Sequence, residues 1–95
     1  MLTRIVKLHF QEDKVDAFLT LFDQVVTKVN AFPGCHLMYM LRDLHSPSTF
    51  ITYSQWENEK ALNQYRDSEL FQTIWPTIKP WFAAKAQAWS LVNVE

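Results

Sequence analysis

The apolar residues of this chain change their spacing as the sequence advances, and that change restricts the fold more than any single motif. From Leu2 to Phe10 they alternate, with Val6, Leu8 and Phe10 on one side and Ile5, Lys7 and His9 on the other. That period of two places successive side chains on opposite faces of a strand. From Asp13 the spacing becomes three and four residues, through Val15, Phe18, Leu19, Phe22, Val25 or Val26, and Val29. The pattern predicts a helix over about 13 to 31, with Asp13 as its N-cap and Phe32-Pro33-Gly34 as its end. His36 to Asp43 and Thr49 to Glu57 return to aromatic and β-branched residues, and Leu44-His45-Ser46-Pro47-Ser48 between them is turn chemistry, so the two read as a hairpin. Asn58 is expected to cap a short helix through Ala61, Leu62 and Tyr65, and Ser68 a second one carrying Leu70, Phe71, Ile74 and Trp75. Pro76 and Pro80 each lack an N–H and crowd the preceding turn, which predicts kinks or restarts there. The second half of Ala83 to Glu95 reads as a last strand.

The resulting order, β-α-β-β-α-β, is the split βαβ or ferredoxin-like plan, an α+β fold with a four-stranded antiparallel sheet and its helices on one face. Ninety-five residues suffice for one compact core and not for two, so residues 1–95 are expected to form a single domain. Apolar residues make up 48% and charged ones 20%, which excludes the composition of a disordered chain. Several strands are apolar on both sides: Ile5 opposes Val6, Met38 and Met40 oppose Leu37, Tyr39 and Leu41, and Ile51 and Tyr53 oppose Phe50 and Trp56. A sheet face left in water alternates with polar residues. The economical cover for the second apolar face is another copy of the chain, giving a sheet-to-sheet homodimer.

The lone glycine, Gly34, cannot supply the several Cβ-free positions of a dinucleotide fingerprint or a phosphate loop. The lone cysteine, Cys35, excludes an internal disulfide and a multi-cysteine metal cage. Metal chemistry would rest on His9, His36 and His45, no two of which have the i, i+4 spacing of a helical site. A net charge of −1, with nine basic residues spread along the chain, gives no footprint for nucleic acid or an anionic membrane. Arg4 and Lys7 interrupt the apolar N-terminus, no signal cleavage site follows, and no apolar run approaches a membrane span, so a soluble cytoplasmic protein is expected.

Cys35 and His36 are neighbours on a strand and point to opposite faces, so they cannot share a proton. Asp43, Glu57, Asp67 and Glu69 fall at element ends, where capping and solvation account for them. The aromatic load of the second half is a stronger signal: Phe50, Tyr53, Trp56, Tyr65, Phe71, Trp75, Trp81, Phe82 and Trp89 lie within forty residues. Buried indoles and phenols need partners for their N–H and O–H, which makes them costly core filler and suggests a pocket. Thr52, Ser54 and Trp56 share one strand face, where small hydroxyls would open a cavity beneath the helices.

With strand and long helix in front of them, Phe32-Pro33-Gly34-Cys35, Arg42-Asp43, Phe50, Tyr53-Ser54-Gln55-Trp56-Glu57, Ala61-Leu62 and Ser68-Glu69-Leu70-Phe71 resemble the antibiotic biosynthesis monooxygenase (ABM) domain. The resemblance spans essentially the whole chain. It implies a ferredoxin-like domain that dimerises sheet to sheet as an α+β barrel. The activities it brings include polyketide and quinol oxygenation, haem degradation and isomerisation of a signal molecule, and many members have none known. In the polyketide oxygenases Trp56 matches a pocket tryptophan, while Thr52 stands where an asparagine is expected. Tyr65 occupies a position that is histidine in many members, and Trp75 the position of the iron-ligating histidine in the haem-degrading branch, so haem degradation is disfavoured.

The mechanism the resemblance implies uses no flavin, haem or metal. An electron-rich phenol or enol is bound as its anion and passes an electron to dioxygen, and the radical pair recombines. Trp56 and Thr52 are the catalytic candidates, and Thr52, Trp56, Tyr65 and Trp75 the substrate-binding ones. The Trp56 N–H, Thr52 O–H and Tyr65 O–H are the expected donors and Trp75 a wall. His9 or His36 would serve as base only if its strand face opened on the same cavity. Two alternatives stay open from the sequence: a non-catalytic small-molecule-binding or stress-associated dimer, and a non-oxidative enzyme such as an isomerase.

Overall fold

A computed structural model describes residues 1–95. Strand β1 (Leu2–His9) leads through a short 3-10 turn (Glu12–Lys14) into helix α1 (Val15–Asn30). The hairpin β2 (Cys35–Arg42) and β3 (Thr49–Trp56) follows, then α2 (Glu59–Arg66), α3 (Glu69–Ile78), a second 3-10 turn (Lys79–Trp81) and β4 (Gln87–Leu91). The strands lie in the order β2-β3-β1-β4 and every pair is antiparallel, the ferredoxin-like arrangement.

The register fixes the two faces. Leu2 pairs with Trp56, Arg4 with Ser54, Val6 with Thr52 and Leu8 with Phe50, and these positions face the helices. Under α1 the core gathers Leu8, Phe10, Val15, Phe18, Phe50 and Ile78, with the Phe10 and Phe18 rings stacked at 4.1 Å. Burying each such side chain contributes about 1.5–3 kcal/mol. A second cluster, Leu2, Trp56, Ala61 and Leu62, fixes α2 on the end of the sheet.

Both helix caps expected in the second half are present. The Asn58 side chain accepts from the Ala61 N–H at 2.9 Å and the Ser68 hydroxyl from the Phe71 N–H at 3.2 Å. Asp43 accepts from the N–H groups of His45 and Ser46, which closes the hairpin turn. Three local expectations are corrected. Asp13 is not the cap of α1; it lies in the 3-10 turn, and Lys14 occupies the cap position with no side-chain bond. Pro76 neither breaks nor restarts α3, which runs on to Ile78; the proline is exposed, so the Gln72 carbonyl it leaves unbonded faces water. Pro80 does fall at a restart, in the second 3-10 turn. The last strand, expected in the second half of Ala83 to Glu95, instead runs Gln87–Leu91, because pairing with Thr3 to Lys7 of β1 sets its bounds.

Gly34 is the one residue with positive φ, at +85°. A Cβ there would fall 2.5 Å from the Cβ of Ala61, so its freedom both turns the chain into β2 and lets α2 approach. The other sheet face carries Ile5, Leu37, Tyr39, Leu41, Ile51, Tyr53, Trp89 and Leu91. Tyr39 stacks on Tyr53 at 5.0 Å, and Tyr39, Leu41, Trp89 and Leu91 are each between 41% and 51% exposed. Water is an unfavourable neighbour for so contiguous an apolar surface.

Candidate functional site

Between the helix-facing side of the sheet and α1, α2 and α3 lies an apolar cavity of about 420 Å³, within the range of small-molecule sites. Thr52, Trp56, Tyr65 and Trp75, the four residues singled out from the sequence, all line it. Their placement follows from local structure. Thr52 and Trp56 project from β3 with Ser54 between them. Tyr65 is held by α2, whose start Asn58 caps, and Trp75 by α3, whose start Ser68 caps.

Trp56 is 1% exposed and stacks on the Tyr65 ring at 5.0 Å, with an interplanar angle of 27°. Phe32 meets both rings edge-on, at 6.5 and 5.4 Å. The aromatic wall continues from Tyr65 to Phe71 at 5.3 Å and from Phe71 to Trp75, stacked at 5.8 Å. Such contacts stabilise beyond area burial by about 0.5–1.5 kcal/mol each and hold the ring planes in place.

The indole N–H of Trp56 is not free to act on a ligand as the sequence reading expected: it donates to the Ser54 hydroxyl at 2.9 Å. Ser54 in turn lies 3.4 Å from the Arg4 carbonyl. Ser54 therefore does a structural job, satisfying a buried indole that no backbone group reaches. The hydroxyls of Thr52 and Tyr65 remain as the neutral donors of the cavity. Burial, reinforced in alkali by the Cys35 thiolate, pushes the Tyr65 phenol up to about 12, so it stays protonated and able to donate throughout the neutral range.

Neither candidate base is in the cavity. His9 lies on the opposite sheet face with its Nδ1 2.8 Å from the Thr49 hydroxyl, and His36 is exposed at the start of β2. No Asp or Glu lines the cavity either, and no three His, Cys, Asp or Glu side chains converge anywhere in the chain. Cys35 is half-buried, and burial raises its thiol. What the sequence reading missed is positive charge. Arg4, from the floor of the sheet, and Arg66, the last residue of α2, both line the cavity. The signal was there: Arg4 falls on the Leu2, Val6, Leu8 face of β1, where every neighbour in the alternation is apolar.

Sheet order and helix placement define a ferredoxin-like α+β domain with an aromatic-walled cavity. The family model described as antibiotic biosynthesis monooxygenase matches residues 1–75, and the chain belongs to that family. A crystal structure of an antibiotic biosynthesis monooxygenase superimposes with a TM-score of 0.95 at 22% identity, covering 100% of both chains. A conserved protein from Methanosarcina mazei Go1 gives 0.89 at 21% identity, over 96% of this chain and 91% of that one. Rv0793 from Mycobacterium tuberculosis gives 0.91 at 15%, over 99% and 95%. At these identities the likeness establishes the fold. No curated protein matches the chain. No helix is long and apolar enough to cross a membrane.

Proposed function

We propose that this protein is a cofactor-independent monooxygenase acting on a small electron-rich aromatic, a phenol, quinol or polyketide-like ring. The observation that carries the reading is the cavity, which brings Thr52, Trp56, Tyr65 and Trp75 onto one ligand-sized space in a member of the monooxygenase family. Trp75 and the Trp56–Tyr65 stack hold the ring. The Tyr65 and Thr52 hydroxyls donate to the substrate oxygen as it takes on negative charge, in surroundings that exclude water and so strengthen each bond. With no carboxylate or imidazole on the walls, ionisation of the substrate rests on the positive field inside the cavity.

For 1,4-dihydroxynaphthalene the steps balance without an outside reductant. Its anion passes one electron to dioxygen, and superoxide couples to the ring carbon beside the oxygen to form a C–O bond. The O–O bond then breaks as that carbon loses its proton. One oxygen stays as the C2 carbonyl of 4-hydroxy-1,2-naphthoquinone, which tautomerises to 2-hydroxy-1,4-naphthoquinone with the new oxygen as its hydroxyl, and the other leaves as water. Dioxygen is reduced entirely by the substrate, so the protein's part is to bind, ionise and shield.

The functional unit in this reading is a single cytoplasmic domain, paired into a homodimer through the apolar sheet face, with no nucleic-acid or membrane partner. Exposed Tyr39, Leu41, Trp89 and Leu91 support the pairing. Oxygen-electrode measurements with a panel of hydroquinones and naphthols test the activity. Saturable, protein-dependent uptake above autoxidation is expected for at least one of them. Uptake no faster than with heat-denatured protein across the panel contradicts it.

A further inference from the structure

We infer that Arg4 and Arg66 form an anion subsite, and that the ligand of this cavity is an aromatic carrying a carboxylate beside its oxidisable ring. The inference rests on the proposed function, since it takes the cavity as the binding site. Two guanidinium-bearing side chains face one apolar space that contains no acidic group, in a chain whose net charge is only −1. General basicity of the protein does not account for them.

Arg4 is the costlier of the two. It is half-buried between Val6 and Leu2 on the cavity side of β1, where a charge loses hydration. Burial, with the nearby Arg66 charge adding to it, lowers its pKa, so the two cations on the cavity wall repel each other. One N–H of Arg4 is spent on the Ser90 hydroxyl at 2.8 Å, which anchors the side chain against β4 and leaves most of its donor fork available. Arg66 needs no such anchor. It is exposed at the end of α2, next in sequence to Tyr65, and lines the cavity.

A ligand carboxylate answers both penalties at once. It supplies the missing counter-charge, takes charge-assisted bonds from two planar donors and turns the repulsion into shared attraction. Because Tyr65 and Arg66 are adjacent and both line the cavity, a ring stacked along the aromatic wall presents its phenolic oxygen to Tyr65 and its carboxylate to the arginines. A hydroxyaryl carboxylate is the smallest molecule with that arrangement.

The test compares 1-hydroxy-2-naphthoate with its methyl ester, the same ring with and without the charge, by quenching of tryptophan fluorescence. The wild-type protein is expected to bind the acid at least tenfold tighter than the ester. In Arg66→Gln, an exposed position, that ratio should fall several-fold, to what Arg4 alone supplies. Lys60→Gln removes the same charge from α2 outside the cavity and should keep the wild-type ratio. Equal affinity for acid and ester, or a ratio unmoved by Arg66→Gln, overturns the anion subsite while the cavity reading stands. Quenching by neither compound overturns the cavity as a ligand site, and the subsite with it.

Discussion

Replacing Tyr65 by Phe removes one oxygen atom from the wall of the cavity and nothing else. The ring keeps its stack on Trp56 at 5.0 Å and its edge contacts to Phe32 at 5.4 Å and Phe71 at 5.3 Å. Stability at neutral pH should therefore change by no more than about 0.5 kcal/mol, as for substitutions that break no packing or buried bond. A hydrogen bond from the phenol to a charged ligand oxygen is worth about 1.5–3 kcal/mol, or roughly ten- to a hundred-fold in kcat/KM. Urea unfolding and oxygen uptake on the same preparations separate the two effects.

A second readout comes from alkali. The buried phenol titrates at about 12 in the folded chain against about 10 when exposed, so above pH 10 the unfolded chain gives up a proton that the folded one keeps. The stabilisation is intact below pH 10 and is lost as pH rises through 12, to a limit of about 2–3 kcal/mol. The Phe variant lacks this loss and should outlast the wild type between pH 10 and 12. A variant that unfolds more than about 1.5 kcal/mol more easily at pH 7, with turnover unchanged, refutes Tyr65 as a donor and makes it a packing residue.

Three further outcomes follow from the packing. Gly34→Ala forces a side chain into positive φ and against Ala61, and should destabilise by about 2 kcal/mol or more in chemical denaturation, with Tyr65 displaced along with α2. Trp56→Phe loses the bond to Ser54 and part of a fully buried ring, so unfolding should show a loss of about 1.5–3 kcal/mol; ligand binding then weakens through the loosened Tyr65 stack rather than through a missing donor. Leu41→Glu places a charge in the exposed apolar sheet face. Sedimentation should shift from dimer to monomer, and the concentration dependence of unfolding should disappear; a wild type that sediments as a monomer at micromolar concentration counts against the dimer.

The strands were legible because the sheet has two distinct faces, and alternation such as Val6, Leu8, Phe10 against Ile5, Lys7, His9 records which residue meets which. Helix caps were equally plain where a side chain does the capping, as at Asn58 and Ser68, and misleading at Asp13, where the chain spends a 3-10 turn before α1 begins. Pro76 misled for a different reason: the cost of a helical proline depends on whether water reaches the orphaned carbonyl, and exposure is not written in a local pattern. At the site, the cavity face of β3 could be read from two hydroxyls two residues apart. The pairing of Trp56 with Ser54 could not, since period two puts them on one face without saying that they touch. The arginines escaped because Arg4 and Arg66 stand sixty-two positions apart and meet only through the docking of α2 on the sheet.

Isotope tracing with labelled dioxygen in chelator-treated buffer, using 1,4-dihydroxynaphthalene and no added reductant, tests most directly whether this chain oxygenates its ligand unaided. The expected result is protein-dependent formation of 2-hydroxy-1,4-naphthoquinone carrying one labelled oxygen, with one dioxygen consumed per product and no hydrogen peroxide released. Product that forms no faster than without protein, or plain 1,4-naphthoquinone with stoichiometric peroxide, contradicts it.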